Sequence, residues 1–274
     1  MTSQLPPAGW YPDPTGQPGQ MYWDGQAWHT GAPAPTAVAA APTMMSPLNA
    51  GHEAEPRGSV LPVYFVADES GSMGRNIGEL NEGLASLHDA LQRESFAAAK
   101  VRFSVIGFSD TAFTYLEPAD LRLLQGMPVL TAQGMTSYAS AFDQLAYRIG
   151  VDIPGLKAQG YTVHRPAVFF LTDGLPNGHE DWRSVRANLL ARPAAPNILA
   201  FGIGDADAAT VAELATKPHF AFVAARGVDT GAAISEFLTS LTQSVISSGQ
   251  ALATGSAELQ FERPEGFTLA VDVV

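Results

Sequence analysis

Val60-Leu61-Pro62-Val63-Tyr64-Phe65-Val66-Ala67 runs without a break into Asp68-Glu69-Ser70-Gly71-Ser72. The first run is apolar throughout rather than alternating, the pattern of a strand buried on both faces of a helix-covered parallel sheet. The second places a carboxylate and two hydroxyls at alternate positions. In an extended segment, residues i, i+2 and i+4 point the same way. Asp68, Ser70 and Ser72 therefore present three hard oxygen atoms to one point, a donor set suited to Mg²⁺ or Mn²⁺. Glu69 faces the other way and is not an expected ligand. Gly71 and Gly74 relieve a tight loop.

Working outward, short apolar runs alternate with helical patterns. Strands are predicted at 60–67, 101–108, 166–172, 197–203 and 219–223. Between them, Ile77, Leu80, Leu84, Leu87 and Leu91 form one face of a helix over 77–91, and Ala139, Phe142, Ala146 and Ile149 form another. Further helices are predicted at 181–191, 208–215 and 230–247. The segment 111–116 follows its predecessor too closely for a parallel crossover, so it is expected as an antiparallel edge strand. The fold class is α/β: a doubly wound, mostly parallel open sheet with helices on both faces and one antiparallel edge strand. After Gly249, the runs 256–262 and 267–274, split by Pro264-Glu265-Gly266, are expected as a terminal hairpin or extra strand pair.

Upstream, the composition changes. Three of the four tryptophans, Trp10, Trp23 and Trp28, lie within residues 5–30. Asp24-Gly25 is a strong two-residue turn signal, so this stretch is expected as a small Trp-rich hairpin module. Residues 31–58, rich in Ala, Pro and Thr, read as a flexible linker. The expected organisation is a module at 5–30, a linker at 31–58, an α/β domain at 59–248 and an extension at 249–274.

Bulk properties exclude several functions. The net charge of −12 and the lack of a basic run disfavour nucleic acid. With no cysteine, disulfides, zinc–thiolate sites and thiol nucleophiles are excluded. No signal peptide is visible, and no apolar run approaches the ~20 residues of a membrane span. The expected location is cytoplasmic.

In an open parallel sheet, ligands bind beyond the carboxyl ends of the strands, where the winding reverses. A second predicted strand ends in Asp173-Gly174, and Gly134-Met135-Thr136-Ser137 opens a helical pattern. If strands 60–67 and 166–172 are neighbours, Asp68, Ser70, Ser72, Thr136 and Asp173 meet over one crevice. The neutral hydroxyls leave a bound cation under-neutralised, inviting a carboxylate from a partner. Asp110 reads as a turn residue. His179 follows Asp173 on its loop and is a candidate for the rim. Gly202-Ile203-Gly204-Asp205 lacks the third glycine of a dinucleotide loop and reads as a strand-end turn. Ser70 and Ser72 lack the flanking glycines of a nucleophile elbow. Asp68 as a phosphatase nucleophile would want a second carboxylate where Ser70 stands, and no P-loop is present. The expectation is a binding protein rather than an enzyme. A structural subunit with an incidental metal and a metal-assisted phosphoester hydrolase stay open as alternatives.

Asp68-x-Ser70-x-Ser72, Thr136 and Thr172-Asp173-Gly174 together resemble the metal-ion-dependent adhesion site of von Willebrand factor A domains. The resemblance covers roughly 59–248, where element order also matches, with Phe108-Ser109 and Phe201-Gly202-Ile203-Gly204 as further points of similarity. Gly134-Met135-Thr136 departs from the frequent Gly-Gly-Thr. The resemblance implies a Rossmann-like fold, a Mg²⁺ ion (or Mn²⁺ or Ca²⁺) held by the five residues, and a protein partner that supplies a carboxylate. Leu61 through Met73 and Arg165 through Pro176 are most similar to the bacterial tellurium-resistance (TerY-type) subgroup. That implies an intracellular scaffold in stress or phage-defence systems, here without the cysteine-rich tail of some members. Residues 8–30 resemble a short tryptophan-rich actinobacterial module of unknown function, a place for a second partner to attach.

Overall fold

The computed structural model describes residues 9–12, 20–23, 28–29, 57–256 and 259–272. The chain divides into two compact units, Met1–His52 and Glu53–Val274. In the first, strands β1 (Gly9–Pro12), β2 (Gln20–Trp23) and β3 (Trp28–His29) form an antiparallel sheet. Trp10 is paired with Tyr22, and Trp23 with Trp28. The stretch expected to be one hairpin thus carries three strands. Its Asp24-Gly25 turn lies outside the described residues, as does the expected linker up to residue 56.

The second unit is built around β4 (Gly58–Asp68), which is buried from Val60 onward. It is followed by α1 (Ile77–Arg93), the short α2 (Ser95–Ala98), β5 (Val101–Phe108), β6 (Ala112–Ala119), α3 (Tyr138–Ala158), β7 (Tyr161–Val163) and β8 (Ala167–Thr172). Then come α4 (Trp182–Leu190), β9 (Asn197–Gly202), α5 (Ala208–Leu214), β10 (Ala221–Ala224), α6 (Thr230–Ala253) and β11 (Phe267–Leu269). The sheet order is β11-β10-β9-β8-β4-β5-β6. β5, β4, β8, β9 and β10 run parallel, and both edges, β6 and β11, are antiparallel. β7 pairs with the start of β4, beside β8.

Side chains on β8 alternate between the two helical layers, as strand geometry dictates. Phe169 stacks on Phe201, which meets Phe237 of α6. Phe170 instead stacks on Phe142 of α3. Within the α3 layer, the Tyr64 hydroxyl donates to Asp152 at 3.0 Å, and Arg148 pairs with the same carboxylate. That satisfies a buried carboxylate where it crosses β4. Because β4 has β5 on one side and β8 on the other, the winding reverses between β4 and β8.

Three expectations change at the C-terminal end. The helix expected to end at 247 continues to Ala253 and stops before Gly255, whose φ of +94° is the left-handed conformation of a helix terminator. Gly249 lies within this helix. A Cβ there would lie 2.5 Å from the Ala97 carbonyl oxygen, so the missing side chain lets α6 approach α2. The run expected as a strand at 256–262 is not one over its described residues, 256 and 259–262. Its backbone is held by a ladder of serines on α6, spaced so that they share one face. Ser248 Oγ donates to the Gln260 carbonyl at 2.8 Å and accepts from its N–H at 3.0 Å, and Ser244 Oγ accepts from the Glu262 N–H at 3.1 Å. Ser240 donates to the Glu262 carbonyl. The following strand is only Phe267–Leu269, paired with β10 rather than with 259–262.

Ser248→Ala should lower stability by about 1–2 kcal/mol, because it leaves both polar groups of Gln260 without their partner. Urea unfolding followed by tryptophan fluorescence measures this, and an unchanged midpoint would show the ladder to be incidental.

Candidate metal centre

The carboxyl end of β4 delivers Asp68 next to the end of β8, since Ala67 is paired with Leu171. Asp68 is fully buried. One of its oxygens, Oδ1, accepts from the Ser70 N–H at 2.9 Å, and the other, Oδ2, accepts from the Thr172 hydroxyl at 2.7 Å. The loop then turns Ser70 and Ser72 toward Asp173. The two serine hydroxyls lie 2.9 Å apart, and Ser72 Oγ donates to Asp173 Oδ1 at 2.8 Å. Four of the five expected residues are thus joined in one hydrogen-bonded cluster.

Thr136 arrives on a third loop. The Gly71 N–H donates to the Gly134 carbonyl at 3.0 Å, which draws that loop onto the serine loop. Gly134 has a φ of +72°, and a Cβ there would sit 2.4 Å from Asp110 Oδ2, so only glycine fits. Asp110 Oδ1 accepts from the Met135 N–H at 3.1 Å, so Asp110 braces the loop. The Thr136 hydroxyl is not hydrogen-bonded to the other four residues. Its backbone is fixed from both sides by Asn177: Thr136 N–H donates to Asn177 Oδ1 at 3.3 Å, and Asn177 N–H donates to the Thr136 carbonyl at 2.9 Å. The Thr136 hydroxyl lies 3.7 Å from where a Cβ on Gly174 would be.

Glu69 points away, as alternation requires. Its Oε1 accepts from the Thr131 N–H at 3.0 Å, and its carboxylate occupies the space left free by Gly107, where a Cβ would come within 1.9 Å of Oε2. His179 is exposed on its loop.

Besides Asn177, three contributors were not assigned a role from the sequence. Thr172 holds Asp68, and its hydroxyl accepts in turn from Tyr138 at 3.0 Å. Tyr138 reaches the Gly174 carbonyl as well. The Glu180 carboxylate accepts from the Ser137 hydroxyl and the Tyr138 N–H, both at 2.7 Å, and so caps α3 and pins the Asp173 loop to it. Thr172 was visible within Thr172-Asp173-Gly174. Glu180 had no local signal, being distant in sequence from the helix it caps.

The electrostatics favour a cation. Burial pushes the Asp68 carboxyl up to about 6, against the hydrogen bonds from Ser70 and Thr172, and nearby Asp173 adds to the rise. Burial also raises Asp173, and Asp205 contributes in the same direction. Among the described residues no group of three or more His, Cys, Asp or Glu side chains is placed to hold a metal. The donor set here is instead two carboxylates and three hydroxyls, all hard oxygen. That chemistry fits Mg²⁺, Mn²⁺ or Ca²⁺ better than a soft thiophilic ion. Beside Asp173, the turns after β9 and β10 enclose a cleft of about 660 Å³ lined by Asp205, Asp207 and Arg226.

A mostly parallel sheet with antiparallel edges and helices on both faces is the fold of a von Willebrand A-type domain. Proximal thread matrix protein 1 from the mussel byssus, in a structure with a zinc-occupied MIDAS motif, aligns at TM-score 0.52 and 16% identity over 70% of this chain and 49% of that one. The pilus adhesin SpaC from Lactobacillus rhamnosus GG, in its open conformation, aligns at TM-score 0.54 and 16% identity over 71% of this chain and 31% of that one. A von Willebrand factor type A protein from Catenulispora acidiphila matches more loosely, at TM-score 0.46 and 15% identity over 69% of this chain and 43% of that one. The chain therefore spans about half or less of each of these proteins. Residues 8–42 match a family described as a protein of unknown function (DUF2510). No curated protein matches the sequence.

The Asp68 shift has a consequence for stability. A carboxyl whose folded pKa lies above its ordinary value stabilises the fold fully below the ordinary value. That contribution is lost as pH rises through the folded one. Metal-free protein should therefore lose the Asp68 contribution between pH 3.8 and about 6. Asp68→Asn, which keeps the shape without the charge, should raise the stability of EDTA-treated protein by about 1–2 kcal/mol at pH 8, and by less as pH falls toward 5. Thermal unfolding at the two pH values checks it, and an equal effect at both would refute the assignment.

Proposed function

We propose that residues 59–248 form a metal-dependent protein-interaction module. The observation that carries this reading is the cluster of Asp68, Ser70, Ser72 and Asp173, which converges oxygen donors from two strand ends at the switch point. Ser70, Ser72, Thr136 and Asp173 would hold the ion, and Asp68 would join directly or through water. When bound, the divalent cation supplies an electrophilic centre with a position open to an external carboxylate. Thr172 and Tyr138 keep Asp68 in place, while Asn177 and Glu180 hold the Thr136 and Asp173 loops in mutual register. The mussel and pilus proteins, a matrix protein and an adhesin, support an interaction role by analogy of fold.

The arrangement offers little for catalysis. Ser70 and Ser72 bond each other and Asp173, with no histidine among their partners. Glu69, the nearest general base by sequence, is turned into the wall of the domain. Among the described residues no helix is long and apolar enough to cross a membrane.

Mg²⁺ is the preferred ion on donor chemistry. A tellurium-resistance or phage-defence setting is supported by the motifs around Asp68 and Asp173, and a cytoplasmic location by the absence of cysteine. The tryptophan-rich unit, on its Ala/Pro-rich linker, would engage a second partner.

Titration calorimetry with Mg²⁺ or Mn²⁺ tests the centre. Wild-type protein should bind one ion and Asp173→Ala none. Thr172→Val, which deletes the hydroxyl holding Asp68, should weaken binding roughly 10–100-fold. Heat-silent wild-type protein, or full affinity in Asp173→Ala, would remove the metal from the proposal. Partners captured with Mg²⁺, and lost both in EDTA and in Asp173→Ala, would identify what the module grips.

A further inference from the structure

At the end of the sheet opposite the metal centre, the segment leading into β8 borders a hollow of about 240 Å³. Its apolar wall is Ile153 from α3, Val163 from β7, Pro166 just before β8, and Pro193 and Ala194 after α4. Lys157, His164 and Arg165 line it too, and no Asp or Glu among the described residues does. That sets it apart in a chain with 27 acidic and 15 basic residues. Three other grooves carry acids: Glu79 and Glu82 between α1 and α6, Glu117 and Asp152 beside β6 and α3, and Asp205 and Asp207 next to the metal centre.

The backbone around the hollow is fixed. The His164 N–H donates to the Val60 carbonyl at 2.9 Å, and the Asn197 N–H donates to the Pro166 carbonyl at 2.8 Å. Arg165 Nη1 donates to the Ala195 carbonyl at 2.9 Å, which uses one of the five guanidinium N–H groups. The His164 ring is a second, independent observation. Its Nε2 is buried and has no hydrogen-bond partner among the described residues. Such an atom costs about 1–3 kcal/mol, so it marks a place where another group bonds. Lys157 lies in the last turn of α3 and complements that helix's dipole. Together with Arg165 it also leaves two positive charges around a partly apolar hollow.

We propose that this hollow binds a small phosphate monoester. The two cations match a phosphate group that carries about −1.5 to −2 near pH 7. Lys157 supplies a point charge, Arg165 a planar set of donors, and His164 Nε2 a further hydrogen bond. The apolar wall takes the organic part. At about 240 Å³ the hollow is smaller than the roughly 300–1,000 Å³ of drug-sized pockets, so it admits a group the size of a phenyl ring and excludes a nucleotide. The six residues of β8 put it roughly 20 Å from Asp173, and it works independently of the metal centre.

Backbone NMR titration of the full chain in EDTA tests this, since no divalent cation then takes the phosphate. Phenyl phosphate should give saturable shifts at His164, Arg165 and Ala194, with about tenfold higher affinity than inorganic phosphate. Neutral benzyl alcohol should give none. Lys157→Gln and Arg165→Gln should each weaken phenyl phosphate about tenfold, and His164→Leu should do the same. His164→Gln, which keeps an N–H donor, should retain most of the affinity, and Asp173→Ala should bind like the wild type. Absence of saturable shifts in wild-type protein overturns the proposal, and so does full affinity in Lys157→Gln and Arg165→Gln. Equal affinity for inorganic phosphate overturns the monoester. Full affinity in His164→Leu gives the imidazole to the adjoining hollow of about 40 Å³ beside Ser248 and overturns its part in binding. Loss of binding in Asp173→Ala moves the phosphate to the metal centre and overturns the separate site.

Discussion

The Thr172 hydroxyl bonded to Asp68 is the contact on which the site depends. It ties the ends of β4 and β8 together at the point where the winding reverses. Everything that faces the crevice is arranged around that tie. Ser70 turns back through its N–H to the same carboxylate, which places Ser72 against Asp173. Tyr138, at the first turn of α3, holds Thr172 from behind and thereby sets the helix that carries Thr136 just before it. One buried carboxylate organises three loops.

That arrangement carries a cost. A buried carboxylate near a second one is out of balance without positive charge, which is why the Asp68 pKa rises to about 6. The large aromatic core beneath, with Phe65, Phe169, Phe170 and Phe201 buried in the two helical layers, offsets such local destabilisation. Strain of this kind concentrates where a protein binds something, because the ligand relieves it. The same logic explains the neighbouring glycines. Gly134 and Gly107 are empty volumes filled by Asp110 and Glu69, so acidic side chains support the loops from outside the cluster.

Much of the sheet was legible because its signals are local. Val60–Ala67 is uniformly apolar because both faces of a central parallel strand are covered. The short connection before residue 112 forces an antiparallel partner for β5. The tail was misread for an equally physical reason. Leu259 and Phe261 alternate with polar residues as in a strand, and both pack on the core. Periodicity reports which side chains are buried and says nothing of where the backbone bonds go. Here they go to Ser244 and Ser248 rather than to a neighbouring strand.

By itself the sequence determined the α/β class, the central strand and the alternation of Asp68, Ser70 and Ser72, because apolar runs and alternate positions are properties of neighbours along the chain. Tertiary structure decided that β4 and β8 are adjacent, that Thr172 rather than a cation-bearing side chain holds Asp68, and that Glu180 and Asn177 lock the other two loops. These relations join residues far apart in sequence, and they exist only once the sheet has brought the strand ends together.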